Sequence, residues 1–268
     1  MRGVHYEKTA IVTGASRGIG RETALLLSQN GYEVFDLSRS GESSGGIRNI
    51  KTDLGSEEDI KRAFEEIFKE RERLDLLVNN AGFGISGAVE FTSTEDAKRL
   101  FDVNFFAPFI CSREAVKYLR NSDNPHIINI SSAAALFPLP FQAFYSASKA
   151  AVYSLSTALS GELRPFGIRV NTVMPGDSKT GFTANREKSF EGAKLYGERI
   201  VNSVSLMEKD EQGGFSPKLV AETVLKIARS DVTGGIYIVG GKYKFLASVS
   251  NILPEKFKNK VLFKMYGG

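Results

Sequence analysis

The sequence predicts an α/β fold: one domain built on a doubly wound, parallel, Rossmann-like sheet with helices on both faces. Two observations predict it. Short apolar, β-rich runs alternate with segments of helical period along nearly the whole chain. Strands alternating with helices imply a parallel sheet covered on both sides. The first run, Thr9 to Val12, leads into a glycine turn and then a helical pattern, TGASRGIG followed by RETALLLSQNG. That is the unit that sets a phosphate over a helix N-terminus.

Taken in chain order, strands are expected at 9–13, 33–37, 47–52, 74–78, 126–131, 168–173 and 235–239. Helices are expected at 19–29, 56–70, 95–120, 145–163, 217–229 and within 185–210. GESSGG at 41–46 reads as a turn inside the domain. Right-handed crossovers make the sheet doubly wound and place a ligand at the carboxyl ends of its strands. Residues 1–268 read as a single domain, with no internal repeat and no linker. Residues 181–214 are polar, weakly periodic and bounded by glycines, which suits a lid over a substrate. Residues 242–268 form a basic C-terminal extension.

Composition narrows the function. Of 268 residues, 42% are hydrophobic and 25% charged, as in an ordinary globular protein with a full core. The net charge is +4, but residues 242–268 carry six lysines and one glutamate. The body is therefore slightly acidic and gives no case for nucleic-acid binding. Cys111, the single cysteine, sits in the apolar stretch FFAPFICS and reads as core. No Cys/His cluster suggests a metal, and MRGVHYEKTA has no apolar signal region. A reducing, cytoplasmic setting follows as the expectation.

The stretch from Ser132 to Lys149 carries the chemistry. Tyr145 and Lys149 are four residues apart, one turn along a helix face. An ammonium near a phenol favours the phenolate, so Lys149 is expected to lower the tyrosine's pKa. Ser132, at the end of an apolar run, can bond the same reacting oxygen. Such a trio can pass a proton to or from an alcohol or ketone. Alone, a tyrosine and a lysine at this spacing also occur on exposed helices. Gly14, Gly18 and Gly20 have the spacing G-x-x-x-G-x-G, which departs from G-x-G-x-x-G. An ordinary βα turn is the bland alternative to a phosphate cradle.

These motifs, with NNAG at 79–82, Asn104 and PGDSKT at 175–180, occur in the order found in the short-chain dehydrogenase/reductase family. The chain resembles that family from about Thr9 to Gly241. The resemblance implies an oxidoreductase that uses NAD or NADP to interconvert a ketone or aldehyde and an alcohol. It implies Asn104, Ser132, Tyr145 and Lys149 as catalytic residues. It implies cofactor contacts from Gly14, Ser16, Arg17, Gly18, Ile19 and Gly20, from Asp53 and Leu54 at the adenine, and from Asn80, Ala81 and Gly82 at the ribose. Pro175, Gly176 and Thr180 would border the nicotinamide, with Tyr145 and Lys149 beside it. Ser178 stands where relatives carry an apolar residue, and Ala107 where a glycine is common. Thirteen residues from Ser132 to Tyr145 match the family spacing, which leaves Ser131 pointing away.

Cofactor choice turns on the end of the second strand. NAD users carry an acid there. In GYEVFDLSR that position falls on Ser38, followed by Arg39, with Asp36 two residues earlier on the same strand face. Arg39 and Arg17 can pair with a 2′-phosphate, so NADP (NADPH) is the expected cofactor.

Leu136, Phe137, Leu139, Phe141, Phe83, Ile85 and Phe182 suggest an apolar pocket for a small, lipid-like carbonyl or alcohol substrate. Half of them are equally read as core or dimer contacts. Two other readings stay open: a 3-oxoacyl thioester reductase, and a non-catalytic NADP-binding regulatory protein. The tail reads as a helix packed over the pocket with its lysines in water, or as one touching an anionic membrane surface. The resemblance also implies a homodimer or homotetramer.

Overall fold

The computed structural model describes residues 7–250 and 254–267. Seven strands form one parallel sheet: β1 (Lys8–Thr13), β2 (Tyr32–Ser38), β3 (Ile47–Lys51), β4 (Leu76–Asn79), β6 (His126–Ile130), β7 (Arg169–Pro175) and β9 (Ile236–Val239). A separate two-residue pair joins β5 (Ile85–Ser86) to β8 (Glu187–Lys188). The order in the main sheet is β3-β2-β1-β4-β6-β7-β9. Every expected sheet strand is present, to within one or two residues at each end.

Alternation along the strands sorts the core into two layers. Ile11, Phe35, Leu77, Ile127 and Val170 face one side. There they meet Phe64 of α2 (Glu57–Ile67) and Cys111 and Ala115 of α4 (Ala107–Leu119). Ala10, Val12, Val34, Leu76, Val78 and Ile128 face the other. They pack on Ala24 and Leu27 of α1 (Gly18–Ser28) and Val220 and Val224 of α8 (Lys218–Ile227). Because both faces are covered, the strands read as continuous apolar runs. Cys111 is fully buried, and desolvation pushes its thiol up to about 12.

Serine caps begin two of the helices. Ser56 accepts from Asp59 N at 3.2 Å and opens α2, whose first turn holds Glu57, Glu58 and Asp59 against the positive helix end. Ser93 does the same for α3 (Thr94–Phe101), accepting from Asp96 N at 3.0 Å. The expected single helix 95–120 is broken: α3 passes through a π turn, Asp102–Phe106, into α4. Pro108 lacks the N–H that would donate to the Asn104 carbonyl, so regular α pairing cannot continue there.

The chain then forms α5 (Ala143–Glu162), α6 (Ala193–Tyr196), α7 (Arg199–Gln212), α9 (Gly241–Ser250) and α10 (Glu255–Leu262). The sheet order reverses between β1 and β4, so a crevice opens at their carboxyl ends. A cleft of about 850 Å³ lies there. No described helix is long and apolar enough to cross a membrane.

Candidate active site

The loop after β1 is braced from three directions. Gly14 N donates to Leu37 O at 2.9 Å, and Ala15 N donates to Asp36 Oδ1 at 2.7 Å. Asn80 Nδ2 donates to Thr13 O at 2.9 Å, while Thr13 Oγ1 accepts from Asn80 N and Ala81 N. Gly14 and Gly18 have φ of 67° and 57°, which a side chain would strain. A Cβ on Gly20 would lie 2.3 Å from Gly14 O, so only glycine lets α1 start this close to the loop. Arg17, the N-cap residue, makes no side-chain cap, and the first turn of α1 has no acid. Its N–H groups therefore face the cleft unpaired by side chains, a setting that suits a pyrophosphate. Gly14, Ser16, Arg17, Gly18 and Ile19 line the cleft, and Gly20 lies behind it as a packing residue.

Further along the cleft lie Ser38, Arg39, Asp53, Leu54, Asn80, Ala81 and Gly82. Asp36 does not line it. Its carboxylate is buried and accepts from Ala15 N, from Ser38 Oγ at 2.8 Å and from Asn49 Nδ2 at 3.1 Å. Burial raises its pKa, and the hydrogen bonds from Ser38, Ala15 and Asn49 oppose that rise. Asp36 is therefore a brace for the glycine loop, and the residues facing the cleft at this strand end are Ser38 and Arg39.

Ser132, Tyr145 and Lys149 meet where β6 and α5 converge, and all three line the cleft. The Ser132 hydroxyl lies beside the Tyr145 phenol, where it opposes a rise in the phenol's pKa, and accepts from Ala134 N at 3.1 Å. Lys149 Nζ lies 5.8 Å from the Tyr145 ring centroid and donates to Ile130 O at 3.0 Å. Ser131 turns back, donating to Lys149 O at 2.8 Å.

The expected lowering of the tyrosine's pKa is reversed. Desolvation raises Tyr145 to about 12 against the opposing Ser132 hydrogen bond, with Glu211 adding to the rise and Arg186 reducing it. Desolvation also pulls Lys149 down to about 8. Burial outweighs charge here because the ammonium is itself desolvated and sits beside the ring face rather than at the hydroxyl. Tyr145 is thus a neutral O–H donor at neutral pH.

Asn104 does not reach the cleft. It is fully buried, donates to Phe83 O at 2.9 Å and Ser148 Oγ at 3.1 Å, and accepts from Phe83 N at 3.0 Å. Its side chain pins the Gly82–Phe83 backbone beside Lys149. Pro175, Gly176 and Thr180 line the cleft at the end of β7, and a Cβ on Gly176 would lie 1.9 Å from the Tyr243 ring. Ser178 is paired with Phe215 through its hydroxyl and backbone.

Of the apolar candidates, Phe83, Phe137, Leu139 and Phe182 line the cleft. Phe182 lies against Tyr145, with ring centroids 5.3 Å apart. Phe141 turns instead into a small core with Ala88, Ile200 and Val204, at a strained φ of 59°. Leu136 and Ile85 also lie outside the cleft lining.

Several cleft residues have no signal in the sequence. Glu211 lines the cleft, ion-paired with buried Arg186 behind the wall, and the Arg186 guanidinium faces the side-chain amide of Gln142. Arg99 bonds Glu187 Oε2 at 2.6 Å, which ties the 181–214 segment to α3 together with the β5–β8 pair. Two tail tyrosines close the same wall: Tyr243 donates to Asp177, and Tyr266 donates to Asp210 Oδ2 at 2.8 Å. These partners come from distant parts of the chain, so no local spacing announces them. Among the described residues no His, Cys, Asp and Glu group could hold a metal.

The family model for short chain dehydrogenases matches residues 8–190. A 3-ketodihydrosphingosine reductase of Bacteroides thetaiotaomicron is 39% identical over 220 residues, covering 81% of this chain and 82% of that protein. A 3-oxoacyl-[acyl-carrier-protein] reductase of Bos taurus is 31% identical over 245 residues, covering 88% and 97%. The ligand-free structure of an aldohexose dehydrogenase from Thermoplasma acidophilum superposes with a TM-score of 0.76 at 31% identity, covering 91% of this chain and 97% of that one.

Proposed function

The chain belongs to the short-chain dehydrogenase/reductase family, whose members use NAD(P)(H), and we propose that it is an NADPH-dependent reductase of a hydrophobic, lipid-like ketone. One observation carries this reading: the Ser132–Tyr145–Lys149 trio shares one cleft with the glycine cradle and an apolar wall. The cradle, the unpaired start of α1 and the glycines at 14, 18 and 20 fit a dinucleotide. When bound, the reduced nicotinamide supplies the hydride that adds to the carbonyl carbon.

The protein's residues do the rest. Ser132 Oγ and Tyr145 Oη hold the carbonyl oxygen, aimed where negative charge develops. Tyr145 gives its proton to that oxygen, and the product is the alcohol. Its raised pKa keeps the proton in place until the oxygen becomes basic enough to take it. Lys149, held by Ile130 O beside the Tyr145 ring, supplies the nearby positive charge that favours the phenolate that remains. Arg186 and Gln142 fix Glu211 at the cleft wall.

The Bacteroides relative's name supports a long-chain ketone. The Bos taurus relative supports a 3-oxoacyl thioester instead. Following NADPH absorbance with 3-ketodihydrosphingosine, other long-chain ketones and acetoacetyl thioesters decides between them. Turnover of the long-chain ketones is expected. Turnover confined to the thioesters would move the assignment.

NADPH is preferred over NADH because Arg17 and Arg39 line the adenosine end and Asp36 is engaged elsewhere. Replacing Arg39 with Asp is expected to lower the NADPH/NADH ratio of kcat/KM by about 10- to 100-fold, the worth of a charged hydrogen bond. An unchanged ratio would remove Arg39 from cofactor selection.

The tail also supports contact with an anionic membrane surface. Phe245, Phe257, Phe263 and Met265 are exposed on it, alternating with exposed Lys244, Lys256, Lys260 and Lys264. The full chain is expected to float with anionic liposomes, and a chain lacking residues 242–268 to stay behind. Equal flotation would leave the tail as a wall of the cleft only. A homodimer or homotetramer paired through α4 and α5 accounts for exposed Phe106 and Phe109; sedimentation as a monomer would dismiss it.

A further inference from the structure

We propose that an apolar groove between α5 and α10 is a subsite for the alkyl chain of the ketone substrate. This rests on the reductase reading above and extends it from the reacting carbonyl to the rest of the molecule. The groove encloses about 410 Å³. Leu139 and Leu262 line both it and the active-site cleft, so two aliphatic side chains form the shared wall. Leu139 lines the cleft together with Tyr145 and Phe137, so the groove begins one side chain away from the reacting carbonyl.

The groove's chemistry suits methylenes and little else. On α5, Ala143, Ala147 and Ala150 follow helical spacing and leave a trough where larger side chains would stand. Pro138 and Pro140 form one rim and have no N–H to offer. Phe263 closes the other side. Ser146 is spent locally, with its Oγ accepting from Leu139 N at 3.3 Å. Asn259 is then the remaining polar residue of the described lining, so among the described residues the groove has no cluster of donors or charges to recognise a headgroup or a peptide backbone. Adjacency to the cleft, across Leu139 and Leu262 alone, favours the substrate's own chain over any other occupant.

The test uses methyl ketones from hexanone to hexadecanone on the full-length protein. In the wild type and in Ala147→Ser, kcat/KM is expected to rise roughly three- to fourfold for each methylene that enters the groove, then level off. In Ala147→Phe, where an aromatic ring fills the trough at an exposed position, the rise is expected to flatten. Calorimetric binding of the same ketones gives a second readout that does not need turnover. A flat series in the wild type by both measurements would overturn the proposal, as would an Ala147→Phe protein that keeps the wild-type slope. If Ala147→Phe keeps the slope but changes the sedimentation coefficient, the face belongs to a second copy of the chain and the proposal is wrong. If no ketone is reduced, yet affinity climbs with chain length and stops climbing in Ala147→Phe, the alkyl subsite stands and the reductase reading falls.

Discussion

Replacing Tyr145 with phenylalanine is expected to cut kcat for ketone reduction by about a thousandfold, within the range supplied by general acid catalysis. NADPH affinity should stay near the wild-type value. The phenylalanine ring fills the same space and keeps its packing against Phe182, so the fold is not disturbed. What is lost is the hydroxyl beside Ser132 and the proton that the carbonyl oxygen must receive. Stopped-flow rates at saturating ketone separate the two effects. A variant with more than a tenth of wild-type kcat would mean that another group, or water, gives the proton.

Lys149→Met is expected to remove activity and to stabilise the cofactor-free protein. The ammonium is buried, with the Ile130 carbonyl as its hydrogen-bond partner, and desolvation lowers its pKa from the ordinary 10.5 to about 8. A lysine pKa lowered in the folded state means that the unfolded chain binds more protons between those values. Wild-type stability therefore rises with pH from about 8 to about 10.5, and the full cost of burying the charge is present below that window. The shift corresponds to about 3 kcal/mol. Methionine removes that cost but also the bond to Ile130, so a net gain of about 1–2 kcal/mol and several degrees in Tm is expected at pH 7. Thermal denaturation across pH reads both effects. A lower Tm at pH 7, or a variant that still gains stability above pH 8, would contradict this account of Lys149. The expected trade of stability for function is common where a charge is buried for chemistry.

Much of this was legible because the signals are local. The glycine loop, the four-residue step from Tyr145 to Lys149 and the doubly apolar strands each fit within one element. Ile11 and Val12 face opposite layers that are both covered, so the runs were recognisable without knowing which face was which. The break after Phe101 was less legible. It depends on Pro108 withholding an N–H while Asn104 turns inward to hold Phe83, and the helical period runs on regardless. The pKa of Tyr145 runs against what the spacing implies, because charge can be read from spacing whereas burial requires the walls. Those walls include Glu211, Gln142 and the tail tyrosines, with Arg186 behind them, which tertiary folding brings together from remote segments. Phe141 shows the same limit from the other side: its composition suits a pocket, but a positive φ turns it into the core.

Reduction of a long-chain ketone with NADPH carrying deuterium at the transferable position of nicotinamide C4, followed by mass spectrometry of the alcohol, tests the central claim most directly. One deuterium on the carbinol carbon, with the hydroxyl hydrogen drawn from solvent by way of Tyr145, is the predicted result. Alcohol without the label, or tight NADPH binding with no alcohol from any ketone, would contradict it.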